Sequence, residues 1–179
     1  APDGDYSPEI QQIDIKAVVD ALSLNKFILM GLSMGGRNAF TYAAHNPEKI
    51  KALIIVDAGP ANLNKGSKNI RSFVEQDDEL NSVEDFVARV MKYNPRRDPV
   101  QIRGSIVNNL KQLPNGNWTW KYDKALRAPG ARNRIITPEI TTRLWTYLES
   151  LQCPTLVVKG DRSDVFSEHT AGEMLDRIP

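Results

Sequence analysis

A short apolar run, Phe27-Ile28-Leu29-Met30, leads directly into Gly31-Leu32-Ser33-Met34-Gly35-Gly36, and a helix-forming stretch, Arg37 to His45, follows at once. This junction constrains the chain more than any other feature. A strand that turns into a helix within about three residues must bend sharply, and such a bend favours residues without a Cβ. Gly31 and Gly35 are expected to let the turn close, and Gly36 to let the helix approach the strand. The serine at the apex would stand clear of the sheet on a strained backbone. The helix start would place unbonded N–H groups and a positive dipole end beside it. G-x-S-x-G in this setting has the form of a nucleophile elbow, with Ser33 as nucleophile and the Met34 N–H as an oxyanion donor.

The rest of the chain supplies a sheet to carry that turn. Ser7 can cap a helix opened by Pro8, and Ile15, Val18, Val19 and Leu22 follow the spacing of one buried face over residues 7–23. Phe27–Met30 and Ile50–Val56 read as strands buried on both faces, as does Thr155–Val158 after Cys153-Pro154. Asn46-Pro47 stops the helix after the elbow, and residues 167–178 form another helix. Strands joined by helix-length connections imply an α/β class: a parallel sheet flanked by helices, with right-handed crossovers.

Residues 61–150 differ. They hold amphipathic stretches near 68–76, 82–93 and 98–113, with Ser82 and Asp85 spaced as a capping box. Pro114-Asn115-Gly116 marks a turn, and Trp118, Trp120 and Tyr122 alternate after it like a half-exposed strand. Thr137-Pro138-Glu139 opens a helix with Leu144, Leu148 and Leu151 on one face. The expected organisation is core over 1–60, a mainly helical insertion over 61–150, and core again over 151–179.

Three segments together resemble the α/β-hydrolase superfamily, in its serine-nucleophile, cap-bearing branch of esterases, lactonases and C–C hydrolases. They are Phe27 to Ala39 with the elbow, Ile54-Ile55-Val56-Asp57-Ala58-Gly59-Pro60, and Cys153 to Asp164 with Lys159-Gly160-Asp161-Arg162-Ser163-Asp164. The resemblance spans both ends of the chain, and 61–150 falls where that family inserts its lid. It implies a partial α/β-hydrolase core and a triad in the order Ser, acid, His. Asp164 matches the family's acid loop, while Asp161 and Asp57 remain alternatives. Of the two histidines, His45 ends the helix after the elbow, and His169 lies five residues past Asp164 on a helix start. Neither matches the family's histidine, which follows one further strand. That residue, and a second oxyanion donor, are expected outside these 179 residues. The chain opens at Ala1-Pro2-Asp3-Gly4-Asp5 without Met or an apolar leader, and both ends read as cut from something longer.

Composition bounds the remaining classes. Of 179 residues, 41% are hydrophobic and 25% charged, which fits a globular domain and excludes a disordered or fibrous one. The longest apolar run, Ala52 to Val56, is far below the ~18 residues of a membrane span. With 23 basic against 22 acidic residues the net charge is +1, so nucleic acid is not an expected partner. The lone Cys153 precludes an internal disulfide and fits a reducing, cytoplasmic compartment. One cysteine and two distant histidines make no metal ligand set, and no cofactor is expected. Trp118, Trp120 and Tyr122 are candidates for an apolar acyl pocket or for lid packing. Lys124, Arg127, Arg132 and Arg134 form a basic run that suits an anionic substrate or a solvated loop. A three-stranded parallel sheet is also incomplete, so flanking residues or a second chain should finish it. The expected partner is a small ester or lactone. The competing reading is a non-catalytic, hydrolase-like ligand-binding module.

Overall fold

The computed structural model describes residues 5–61, 64–127 and 137–179. Its contacts divide the chain into two units, Ala1–Asn69 with Gly130–Pro179, and Ile70–Pro129.

The first unit is built on a parallel sheet of order β1-β2-β6, from β1 (Phe27–Leu32), β2 (Ile50–Val56) and β6 (Thr155–Val158). The register runs Leu32 to Val56 between the first pair and Val56 to Val158 between the second. The three carboxyl ends are therefore level, and the elbow, Asp57 and the 160–164 loop all leave the same edge. Helix α1 (Pro8–Ala21) starts as expected, with Ser7 capping the Ile10 N–H and Pro8 in the first turn. Helix α2 (Met34–His45) follows the elbow, and Asn46 caps its end. Helices α6 (Pro138–Glu149) and α7 (Glu168–Arg177) complete the described part. The core joins Phe40, Tyr42, Leu53, Ile55, Leu144, Leu148, Phe166 and Met174.

Two burial expectations fail here. β1 and β6 are not covered on both faces: Ile28, Met30 and Leu32 are each more than half exposed, as is Leu156. Their alternate neighbours Phe27, Leu29 and Val157 pack on the core. Continuous apolar sequence marks a strand that can be covered twice, and the described residues cover it once. Of the expected α1 face, only Val19 is buried and Ile15 partly so. Val18 and Leu22 are exposed, because α1 contacts its neighbours through a narrow i, i+4 stripe.

The second unit has its own core, where Phe86, Ile102, Ile106, Leu110 and Trp120 meet between helices α4 (Val83–Tyr93) and α5 (Pro99–Asn109). The capping box is present: Ser82 Oγ accepts from the Asp85 N–H, and an Asp85 oxygen accepts from the Ser82 N–H. The helix expected over 98–113 ends at Asn109. Leu110–Gln112 (β4) instead pairs antiparallel with Trp118–Trp120 (β5), which also pairs with Glu79–Leu80 (β3). Gly116, at φ 87°, makes the reversal possible. The insertion thus carries a small antiparallel sheet beside its helices. It is also narrower than 61–150: Ile140, Leu144 and Leu148 of α6 lie in the core of the first unit. Helix α3 (Asn64–Val74) crosses the division.

Candidate active site

Ser33 sits at φ 54° and ψ −120°, a conformation that costs a non-glycine residue roughly 1–3 kcal/mol. The surrounding backbone over-determines it. The Ser33 N–H donates to the Val56 carbonyl at 2.8 Å, which locks the apex to the neighbouring strand end. Its carbonyl accepts from the Gly36 N–H at 2.9 Å, which starts α2. The side chain is exposed and makes no cap to the helix it precedes. The first-turn N–H groups of α2, Met34 among them, are therefore not taken up by the serine hydroxyl.

The glycines divide. A Cβ on Gly31 would lie 2.2 Å from the Gly35 carbonyl oxygen, so this position admits no side chain. On Gly36 it would lie 2.8 Å from the Ala58 Cβ, which is the close approach of helix to strand expected there. Gly35 departs from expectation, since a Cβ there would meet nothing within 4 Å. The turn closes through Gly31, and Gly35 faces open space.

Asp57 directly follows β2, one strand away from Ser33 and so about 5 Å across the sheet. It too is left-handed, at φ 51°. Its N–H donates to the Val158 carbonyl at 2.7 Å. Its half-buried carboxylate accepts from the Gly160 N–H at 3.2 Å on one oxygen and from the Ser163 hydroxyl at 2.9 Å on the other. Ser163 Oγ in turn accepts from the N–H groups of Val165 and Phe166. Sequence reasoning overlooked this clamp; its only trace was Gly160 and Ser163 spaced three apart within the acid loop.

Asp164 is exposed, and its carboxylate accepts from the Asn69 side-chain amide at 2.9 Å. Its carbonyl accepts from the Gly66 N–H at 2.9 Å. Asp161 is exposed on the same turn. Arg37 is buried, and its Nε donates to the Gly59 carbonyl at 2.8 Å, tying the first turn of α2 to the loop that follows Asp57.

Neither histidine joins this group. His45 closes the far end of a 12-residue helix, about 18 Å along the axis from Ser33. Its Nδ1 is bonded to the Thr41 carbonyl, and its ring packs edge-on against Tyr147. His169 is 85% exposed and faces Glu173 on the surface of α7. Cys153 is buried, and that burial raises its thiol pKa, which suits inert core.

Trp120 belongs to the core of the second unit, packed edge-on against Phe86 and Phe73, with Trp118 packed partly buried against the same core. Packing thus accounts for both without a pocket. Tyr122 is stacked on Trp120 and partly exposed. Lys124 and Arg127 lie in a short turn, and Arg132 and Arg134 fall outside the described residues.

A sharp strand–helix turn with a strained, exposed serine at the level edge of a parallel sheet has a counterpart among known families. A family profile described as alpha/beta hydrolase fold matches residues 4–179. The chain belongs to the alpha/beta hydrolase family. This hydrolase-fold chain is 26% identical over 178 residues to the esterase Rv0045c of Mycobacterium tuberculosis, covering 96% of this chain and 56% of that protein. It is 26% identical over 172 residues to the sn-1-specific diacylglycerol lipase ABHD11 of Danio rerio, covering 93% of the chain and 51% of the lipase. The crystal structure of that mycobacterial esterase superposes with a TM-score of 0.78 at 25% identity, covering 99% of this chain and 58% of that one. The structure of E-2-(acetamidomethylene)succinate hydrolase, at 19% identity and TM-score 0.81, shows the shared fold alone, covering 98% and 64%. The chain thus spans little more than half the length of the curated relatives it matches. Among the described residues, no helix is long and apolar enough to cross a membrane.

Proposed function

We propose that this hydrolase-fold chain carries the nucleophile of a serine hydrolase that cleaves a small carboxylic ester or lactone. Ser33 attacks the carbonyl carbon, the alcohol departs, and water releases the acid from the acyl-serine. The Met34 N–H helps to hold the oxyanion at the positive end of α2. The general base is a histidine outside these 179 residues, since His45 closes the far end of α2 and His169 lies exposed on the surface of α7. A carboxylate on the loops after β2 and β6 orients that base: the family's acid loop points to Asp164, with Asp161 and Asp57 on the same edge. Of the two roles open to Trp118, Trp120 and Tyr122, packing of the second unit is the better account for Trp118 and Trp120, and Tyr122 stays available as a pocket residue.

One observation carries the reading: a non-glycine residue strained to φ 54° at a strand–helix junction, its side chain exposed and committed to no helix cap. Backbone strain clusters at active sites, where the surrounding structure over-determines it. The similarity to an esterase and a lipase supports the ester class. In the intact natural polypeptide, a fluorophosphonate probe is expected to add once, at Ser33, and Ser33→Ala to abolish both labelling and p-nitrophenyl acetate turnover. Labelling elsewhere, or turnover that survives Ser33→Ala, would overturn the assignment of Ser33, and a parent protein that takes no probe and turns over no ester would favour a second reading. That reading is a ligand-binding module on a hydrolase frame, motivated by the absence, among the described residues, of a histidine bonded to Ser33 or to the neighbouring carboxylates.

A further inference from the structure

We propose that Asp57, and not Asp164, is the carboxylate that orients the catalytic base, and that Ser163 is the positioning residue that aims it. The inference rests on the serine-hydrolase reading and deepens it.

Four observations separate the two aspartates. First, Asp57 directly follows the strand paired with the nucleophile's own strand, and Val56 is the residue whose carbonyl holds the Ser33 N–H. The elbow and the residue before Asp57 are therefore joined by one hydrogen bond, whereas Asp164 lies six residues past the end of the third strand. Second, Asp57 is held left-handed at φ 51°, and a strained residue persists only where its surroundings impose it. Its main chain is fixed by the Val158 carbonyl, and the next turn by Arg37 on the Gly59 carbonyl. Third, its carboxylate is already pre-set by two donors, one per oxygen. An ionised carboxylate accepts about four hydrogen bonds, so capacity remains for an imidazole N–H. Fourth, Asp164 is exposed and serves as a local fastener: its carboxylate and its carbonyl both tie to α3, at Asn69 and Gly66. A Cβ on Gly66 would lie 2.3 Å from the Asp164 carbonyl oxygen, so that fastening is tight.

Ser163 earns its role by connectivity. Its single hydroxyl proton goes to Asp57, while its oxygen accepts the N–H groups of Val165 and Phe166. The proton cannot turn toward those two amides, so it stays on the carboxylate. The loop after β6 thus supplies no acid to the base. It supplies the donors that point the acid from β2.

The test compares single variants of the intact natural polypeptide, with p-nitrophenyl acetate turnover measured across pH. Asparagine tolerates the left-handed backbone at 57, so Asp57→Asn keeps the fold. It is expected to lower kcat by about 10³–10⁴-fold, as loss of the base-orienting carboxylate does in serine hydrolases, and to move the acid limb of kcat/KM to lower pH because the base loses its negative neighbour. Asp164→Asn is expected to stay within about threefold of the parent, since one exposed hydrogen bond is lost. Ser163→Ala is expected to lower kcat by about tenfold and move the acid limb to higher pH, because a carboxylate stripped of a donor holds a protonated base more strongly. Ser163→Thr is expected to restore both. Asp164→Asn as damaging as Asp57→Asn, or Asp57→Asn within tenfold of the parent, overturns the assignment of the acid. An unmoved pH profile in Ser163→Ala overturns the role of Ser163. Full turnover in Ser33→Ala defeats Ser33 as the nucleophile and with it the reading on which this inference rests, an outcome that none of the carboxylate variants can mimic.

Discussion

A Cβ added at Gly31 collides with backbone, and one added at Gly35 collides with nothing, although both glycines fill the same motif. Backbone cannot yield as a flexible side chain can. Gly31→Ala is therefore expected to destabilise by at least about 2 kcal/mol in urea unfolding. Gly35→Ala is expected to leave stability unchanged or raise it by up to about 1 kcal/mol, because alanine restricts the unfolded chain and suits a helix. Equal losses at the two positions would show that the turn is held some other way. Much of this site could be read from residues alone. Ser33, the strand before it and the helix after it follow from residue type and spacing. The role of Gly35 could not be read, because the motif does not say which glycine meets backbone. Nor could the clamp on Asp57, since a hydroxyl 106 residues away leaves no local pattern.

At the scale of elements, capping and periodicity located most helices, and burial was the weaker inference. Ser7, Ser82 and Thr137 each cap the helix that sequence placed after them, because a cap is a contact across three residues. The end of α5 at Asn109 was hidden, because Leu110 leaves the helix to meet Trp120, a partner set by tertiary pairing. That small sheet also carries a pH-sensitive fastening. The Glu79 carboxylate accepts from the side-chain amides of Asn117 and Asn115, and those bonds hold its pKa below the usual glutamate range. A lowered folded-state pKa stabilises above the unfolded value, and that stability is lost as pH falls through the folded one. Glu79→Gln is thus expected to flatten the acid-side decline in thermal stability below the usual glutamate range. A decline as steep as the parent's would mean that the bonds carry no linkage.

For the molecule as a whole, the position of α6 decides how much of the middle stretch belongs to the sheet. Leu148 is fully buried in the core of the first unit, whereas Leu175 on α7 is 82% exposed. Leu148→Ala is expected to cost about 2–5 kcal/mol in urea unfolding, and Leu175→Ala less than about 0.5 kcal/mol. Similar values for the two would place α6 outside the core. The sequence pattern of α6, Leu144 and Leu148 on one stripe, showed that it buries a face. It did not show against what, because amphipathicity has no address.

Strand β6 pairs with β2 across about a hundred residues of intervening chain, and those residues include a unit with a core of its own. On the ribosome, β1 and β2 emerge as an apolar parallel pair well before their third strand exists. At ordinary rates of synthesis the wait is about 5–20 s, long compared with the folding time of a small helical unit. The inserted unit can therefore be complete while β2 still lacks its partner β6. Until β6 arrives, that edge of β2 is an open row of backbone N–H and C=O groups.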